Sequence, residues 1–160
     1  MGLPAVARHR SKNVTLHSQG DINFIINAEH DSFAQKFARA HGPCACAMAF
    51  RVADARYAFS RALELGAKPG PATAGPMELN IPSILGIGGS LIYLVDRYGD
   101  RTIYDVDFVP VAAAPEPAGA TPAAVGLTRI DHLTHNVKRG NMNVWAGFYE
   151  KLFKDRKSVV

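Results

Sequence analysis

RIDHLTHNVKRGNMNVWAGFYEKLF, from Arg129 to Phe153, decides the fold. Its first half reads as an extended strand. Ile130, His132, Thr134 and Asn136 fall on one face, and Asp131, Leu133, His135 and Val137 on the other. Lys138 to Asn141 is a polar turn. Met142, Trp145, Phe148, Tyr149 and Leu152 then recur at three- and four-residue spacing, the apolar stripe of a helix. A strand followed by a helix that packs back on it is therefore expected. Leu133 and Val137 lie beneath that helix, and His132, Thr134 and Asn136 face away, into the curve of a sheet. A strand histidine is by itself more often an ordinary hydrogen-bonded residue than a metal ligand. No HxxxH, CxxC or HExxH spacing accompanies this one.

Upstream, Ala5 to Ser18 reads as a strand, Gln19-Gly20-Asp21 as a hairpin turn, and Ile22 to Asn27 as a second strand. The second strand is almost continuously apolar in its middle and is expected to be buried. Asp31-Ser32 caps a short helix from Phe33 to Ala40, which Gly42 ends. Cys44 to Val52 is the next strand. Asp54 caps a helix running to about Leu65, closed by Gly66, with Ala55, Phe59, Ala62 and Leu63 on its buried face. Lys68 to Pro76 is a Pro/Gly-rich loop. Met77 to Ile81, Ser90 to Asp96 and Thr102 to Val109 read as strands, with Arg97 to Asp100 as a tight turn.

Gly86, Gly88 and Gly89 do not make a phosphate loop. Such a loop needs a helix after it, and SLIYLVD is rich in β-branched and aromatic residues instead. Pro110 to Gly126 is Ala- and Pro-rich without periodicity, as in a linker between domains.

The chain has 160 residues, enough for a real core, since a domain near this size buries roughly 70% of its unfolded surface. Apolar residues make up 48% and charged residues 20%, ordinary for a soluble globular protein. The net charge of +4 is small, and the one basic cluster, Arg8 to Lys12, reads as a solvated edge. Neither basic helix nor aromatic interleaving accompanies it, so no nucleic-acid partner is expected. No stretch approaches the ~20 apolar residues of a membrane span, and the N-terminus lacks a signal-peptide core. Cys44 and Cys46 are too close along the chain for a good disulfide. They read as small buried residues of a reduced, cytoplasmic protein.

Five segments together carry a resemblance: RHRSKNVTL (8–16), GDINFIIN (20–27), GPMELNIPSILGIGGSLIYLVDRYG (75–99), IYDVDFVP (103–110) and IDHLTHNV (130–137). In this order they resemble the 4-hydroxyphenylpyruvate dioxygenase family of the vicinal oxygen chelate superfamily, over nearly the whole chain. Lys154 to Val160 departs from the family pattern. The resemblance implies an α+β fold of repeated βαβββ, glyoxalase-like units. It also implies a non-catalytic N-terminal domain at 1–109, the linker at 110–126, and the start of an iron-binding catalytic domain at 127–160. Both ends read as truncated, with the first unit lacking its opening strand and helix and the last its later strands.

The family binds Fe(II) with two histidines and a glutamate, and the histidine after the aspartate of IDHLTHNV is the first ligand. It maps onto His132, not His135. His9, His17, His30 and His41 do not lie on motif-equivalent strands. Thr134 and Asn136 share the face of His132 and become candidate pocket-lining residues, although polar residues merely hydrogen-bonded within the sheet would look the same. An internal repeat is visible as well. AMAFRV (47–52) aligns with HLTHNV (132–137), so residues 44–53 and 129–137 are expected to form equivalent strands. Ala47 then stands where His132 does, which makes the unit before the linker metal-free.

The implied reaction converts 4-hydroxyphenylpyruvate, a 2-oxo acid, and O2 to homogentisate and CO2 in tyrosine catabolism, in an enzyme that is a homo-oligomer. With two of three ligands absent, this chain is expected to be inactive and prone to associate through uncovered strand edges. Two other readings are a fragment of hydroxymandelate synthase, a sibling with the same ligands and substrate, and a non-catalytic βαβββ remnant that binds small molecules.

Overall fold

The structure, a computed structural model, describes residues 2–71, 74–75, 77–111 and 126–153. The chain divides into two compact units, Met1–Cys44 with Tyr104–Leu133, and Ala45–Ile103 with Thr134–Val160.

The first unit is an antiparallel sheet of β1 (Ala5–His9), β2 (Val14–Gln19), β3 (Ile22–Asn27) and β7 (Phe108–Pro110), in the order β3-β2-β1-β7. The strand expected over Ala5–Ser18 is thus two strands joined at residues 10–13. The reason lies in His9, whose Nδ1 accepts the backbone N–H groups of Ser11 and Lys12, each at 3.2 Å, and so stabilises a turn. Arg10 leaves the sheet altogether. Its N–H donates to the Asp107 carbonyl at 2.9 Å, and its guanidinium lies 3.6 Å from the Asp107 carboxylate. Arg8 of the basic cluster thus lies within β1, and Arg10 and Lys12 lie in the turn that follows it.

Between β2 and β3, Gly20 has φ of 56°, a left-handed conformation that disfavours side chains. A Cβ there would also meet the Thr128 carbonyl oxygen at 2.7 Å. That same carbonyl accepts the Asp21 N–H at 2.9 Å, and the Gln19 amide donates to the Leu127 carbonyl at 2.9 Å. Residues 127–128 are in this way tied to the hairpin turn.

Two expectations fail in this unit. β3 is not buried. It lies at the sheet edge, where only Ile22 is covered, so apolar composition alone misled. Thr102–Val109 is not one strand either. Tyr104–Asp107 forms a single helical turn, α3, and only Phe108–Pro110 pairs, with β1. Both the carbonyl and the carboxylate of Asp107 are engaged by Arg10 at the end of that turn. Helix α1 (Phe33–His41) forms as expected, with Ser32 accepting the Gln35 N–H at 3.1 Å and Gly42 ending it.

The second unit has three strands in the order β4-β6-β5, namely β4 (Ala47–Arg51), β5 (Ser83–Leu85) and β6 (Leu91–Val95). β4 runs parallel to β6, with Ala47 opposite Leu91 and Arg51 opposite Val95. A parallel pair needs a crossover, which α2 (Ala55–Glu64) supplies. Asp54 caps α2, its Oδ1 accepting the Tyr57 N–H at 2.8 Å. Asp54→Ala is expected to cost about 1 kcal/mol of stability, read as a lower denaturation midpoint with an unchanged slope. A shift inside experimental error would show that the cap adds nothing.

Chain order from β4 onward is β-α-β-β-β, the last strand being β7 of the other sheet. A 3-10 turn over Ile87–Gly89 joins β5 to β6, in line with the hairpin-loop reading of the glycines. The core sits where Ile84, Ile92 and Ala62 meet, with Met48, Phe50 and Phe59 around them and Phe148, Tyr149, Leu152 and Phe153 of α4 (Met142–Phe153) packed on top. The rings of Phe50 and Phe153 stack at 4.8 Å.

Here too the structure corrects particulars. Only Ala47–Arg51 of Cys44–Val52 is strand. Leu63 of α2 is exposed. Met77–Ile81 is not a strand, because Met77 takes a left-handed φ of 64° and points into solvent. The pairing falls to Ser83–Leu85. Cys44 is exposed and Cys46 half-buried, rather than both buried, and the two form no disulfide. Most of the linker, 112–125, and the terminal residues 154–160 lie outside the described residues.

Candidate functional site

Residues 129–137 do not form the expected strand. A strand is held by paired N–H and C=O groups, and among the described residues none pairs with this segment. The equivalence of 44–53 and 129–137 as strands fails with it, since β4 is a paired strand and the later segment is not. The alternation of facing survives in part. His135 and Val137 are half-buried, whereas His132, Thr134 and Asn136 are exposed. Leu133, expected beneath the helix, is exposed as well.

The turn at 138–141 and helix α4 follow as read, with the Asn141 N–H donating to the Lys138 carbonyl at 2.9 Å. α4 holds His135 from its own side. The Tyr149 hydroxyl lies 3.3 Å from His135 Nδ1, and the two rings meet edge to face at 5.7 Å. Burial raises the Tyr149 phenol above its ordinary pKa, which keeps the hydroxyl protonated near neutral pH.

His132 has a different partner. Its Nδ1–H donates to the Asp131 carboxylate at 2.8 Å. This bond assigns the Nδ1–H tautomer to the neutral ring and leaves Nε2 as a free lone pair. A carboxylate behind a histidine is the arrangement that orients a metal-binding imidazole. Asp131 carries no signal of its own in the sequence. Only its place before the histidine could have marked it.

The other histidines are occupied structurally. His9 stabilises its turn, His17 Nδ1 is 3.0 Å from the Leu3 carbonyl, and His41 stacks on Phe37 at 4.2 Å. Among the described residues no three His, Cys, Asp or Glu side chains come together to hold a metal ion. A cavity of about 310 Å³ opens in the second unit among Tyr57, Arg61, Leu94, Lys151 and Phe153. Neither Thr134 nor Asn136 lines it. Among the described residues, no helix is long and apolar enough to cross a membrane.

Two sheets, few helices and a β-α-β-β-β chain order define a glyoxalase-like α+β protein. Residues 1–109 match the family model described as hydroxyphenylpyruvate dioxygenase, HPPD, N-terminal, and the chain belongs to that family.

It is 55% identical over 158 residues to a 4-hydroxyphenylpyruvate dioxygenase of Pseudomonas sp. (strain P.J. 874), covering 98% of this chain and 43% of that protein. It is also 55% identical over 152 residues to the protein named hemolysin VllY of Vibrio vulnificus (strain CMCP6), covering 95% of this chain and 42% of the other. Among solved structures, a xylose isomerase-like TIM barrel/4-hydroxyphenylpyruvate dioxygenase fusion protein superposes with a TM-score of 0.77 at 38% identity, over 96% of this chain and 23% of that one. The chain thus spans less than half the length of these relatives.

Proposed function

We propose that this chain carries the N-terminal, non-catalytic domain and the entry to the catalytic domain of an Fe(II)-dependent 4-hydroxyphenylpyruvate dioxygenase, and that by itself it is inactive. The observation that carries this reading is 55% identity to such an enzyme over 158 residues, joined to the family match over residues 1–109. The domain division follows the resemblance, with 110–126 as linker and 127–160 leading into the catalytic half. Bound Fe(II) would supply the means of activating O2 beside a chelating 2-oxo acid.

What this chain contributes is His132, with Nε2 free to ligate and Asp131 holding the ring. Thr134 and Asn136, exposed here, are the residues we assign to the wall of the substrate pocket. The substrate is 4-hydroxyphenylpyruvate and the product homogentisate, in the cytoplasm, from an enzyme that works as a homo-oligomer and needs neither nucleic acid nor membrane.

The fusion structure favours a second reading, in which the same module serves within a longer TIM-barrel protein. The sequence of the longer protein decides between the two.

The purified 160-residue chain is expected to retain no iron after desalting and to show no oxygen uptake with 4-hydroxyphenylpyruvate. One neutral imidazole binds Fe(II) weakly, since a facial triad holds its metal through three ligands together. Atomic absorption and an oxygen electrode measure both quantities. Stoichiometric iron in the desalted chain would overturn the claim of inactivity. The same chain extended to the length of its relatives is expected to form homogentisate, and 4-hydroxymandelate as product would identify the sibling enzyme instead.

A further inference from the structure

We infer, resting on the proposed role of His132 as an iron ligand, that the turn between β2 and β3, Gln19-Gly20-Asp21, is a positioning device for that histidine. The turn grips the chain just before the histidine motif through three contacts. The Gln19 side-chain amide donates to the Leu127 carbonyl at 2.9 Å. The Asp21 backbone N–H donates to the Thr128 carbonyl, also at 2.9 Å. Gly20 lies so close to Thr128 that a Cβ would stand 2.7 Å from its carbonyl oxygen and 3.2 Å from its Cα. Bonds to two successive carbonyls fix both the place of the backbone and its rotation about the chain axis.

The hairpin does not need this grip for itself. It is closed by its own ladder, with Gln19 opposite Ile22, and Leu127 is 108 residues away along the chain. Gln19 keeps its bond although its Oε1 is buried and has no hydrogen-bond partner among the described residues, which disfavours burial of the amide. Turned the other way, the amide would set Oε1 against the Leu127 carbonyl, oxygen to oxygen. Its orientation therefore follows from the grip.

What the grip controls is the start of the motif. His132 is the fourth residue after Thr128, at most about 14 Å along the chain. Residues 129–137 pair with no strand among the described residues, so no sheet register corrects an error introduced at Thr128. Metal ligands must stand within ~0.2 Å of their coordination distances. A side chain at position 20 forces Thr128 to move by more than that, because a Cβ 2.7 Å from an oxygen is well inside van der Waals contact. Gln19 and Gly20 thus act through His132 and not on the reacting atoms.

Two variants open the grip without removing a ligand. Gly20→Asn adds a Cβ at a left-handed position that asparagine tolerates, and Gln19→Leu removes the amide donor. In this chain, hydrogen exchange is expected to show the Asp21 amide losing protection in Gly20→Asn. In a protein extended to the length of the relatives, each variant is expected to raise the Fe(II) dissociation constant about tenfold, the lower end of the effect of disturbing a partner behind a ligand. KM for 4-hydroxyphenylpyruvate at saturating iron is expected to stay unchanged. Gln19→Lys keeps a donor for the Leu127 carbonyl and is expected to bind iron like the original. A loss of stability alone would lower the denaturation midpoint in step with iron affinity, and a new donor would not rescue it. Should Gly20→Asn unfold, the two Gln19 variants carry the test. An Asp21 amide equally exposed to exchange with and without the Cβ would show that there is no grip, whatever His132 does. Unchanged iron affinity in Gln19→Leu, or equal losses in Gln19→Leu and Gln19→Lys, would show that the grip does not position His132. Iron retained by His132→Ala would instead overturn the ligand itself, and the positioning role with it.

Discussion

His132→Ala, made in a protein extended to the length of the relatives, is expected to abolish iron retention and homogentisate formation, while His135→Ala leaves both largely intact. The two histidines sit three residues apart in one motif, and their surroundings separate them. His132 is exposed, with Nδ1 bonded to Asp131 and Nε2 free. His135 is half-buried against Tyr149, its Nδ1 within hydrogen-bonding distance of the phenol. On the proposed reading the first would ligate, whereas the second packs against Tyr149. Losing one ligand of three removes the cooperation on which the site depends. Asp131→Asn is expected to weaken iron binding by about 10–100-fold, the usual effect of disturbing a partner behind a ligand. His135→Ala is expected to cost stability of about 1 kcal/mol, from the lost hydrogen bond. Atomic absorption, product formation and denaturant melts read these outcomes. Iron lost in His135→Ala and kept in His132→Ala would reverse the assignment.

Ile92→Ala is expected to destabilise the second unit by about 2–5 kcal/mol. Ile92 is fully buried in the middle of β6, with β4 on one side and β5 on the other. It belongs to the cluster with Ile84 and Ala62, on which Phe50 and the aromatic residues of α4 pack. Truncation removes apolar contacts and leaves a cavity between a sheet and two helices, which cannot close by moving one side chain. Whole domains are stable by only about 5–15 kcal/mol, so the loss is a large share. Val144→Ala, at an exposed position of α4, is the control and is expected to change stability by about 0.5 kcal/mol or less. Urea denaturation followed by far-UV circular dichroism measures both. Similar midpoints for the two variants would show that the cluster is not the core of this unit.

The candidate site was legible in the sequence as chemistry more than as geometry. The motif IDHLTHNV pointed to His132, and the alternation of facing correctly separated His135, which meets Tyr149. The strand expected to carry them was not legible, because strand formation depends on a neighbouring chain segment and no residue within 129–137 encodes one. Leu133 is exposed for the same reason. Nor could the motif reveal that Asp131 turns its carboxylate onto His132, a matter of side-chain rotation.

By itself, the sequence determined the family, the caps and the turns. Ser32 before α1, Asp54 before α2, Gly20 between β2 and β3, and the apolar stripe of α4 all act over a few residues. Their signals can be read locally because the bonds they make are local. Tertiary structure alone decided which apolar strand is covered. Ile22–Asn27 and Leu91–Val95 look alike as sequence, yet one lies at an edge and the other between two partners. It also decided that Arg10, in the turn that follows β1, engages Asp107 at the end of the helical turn before β7. Arg10 and Asp107 are nearly a hundred residues apart along the chain and β4 pairs with β6 across more than forty, and periodicity within a short window carries no information about which distant segment will arrive.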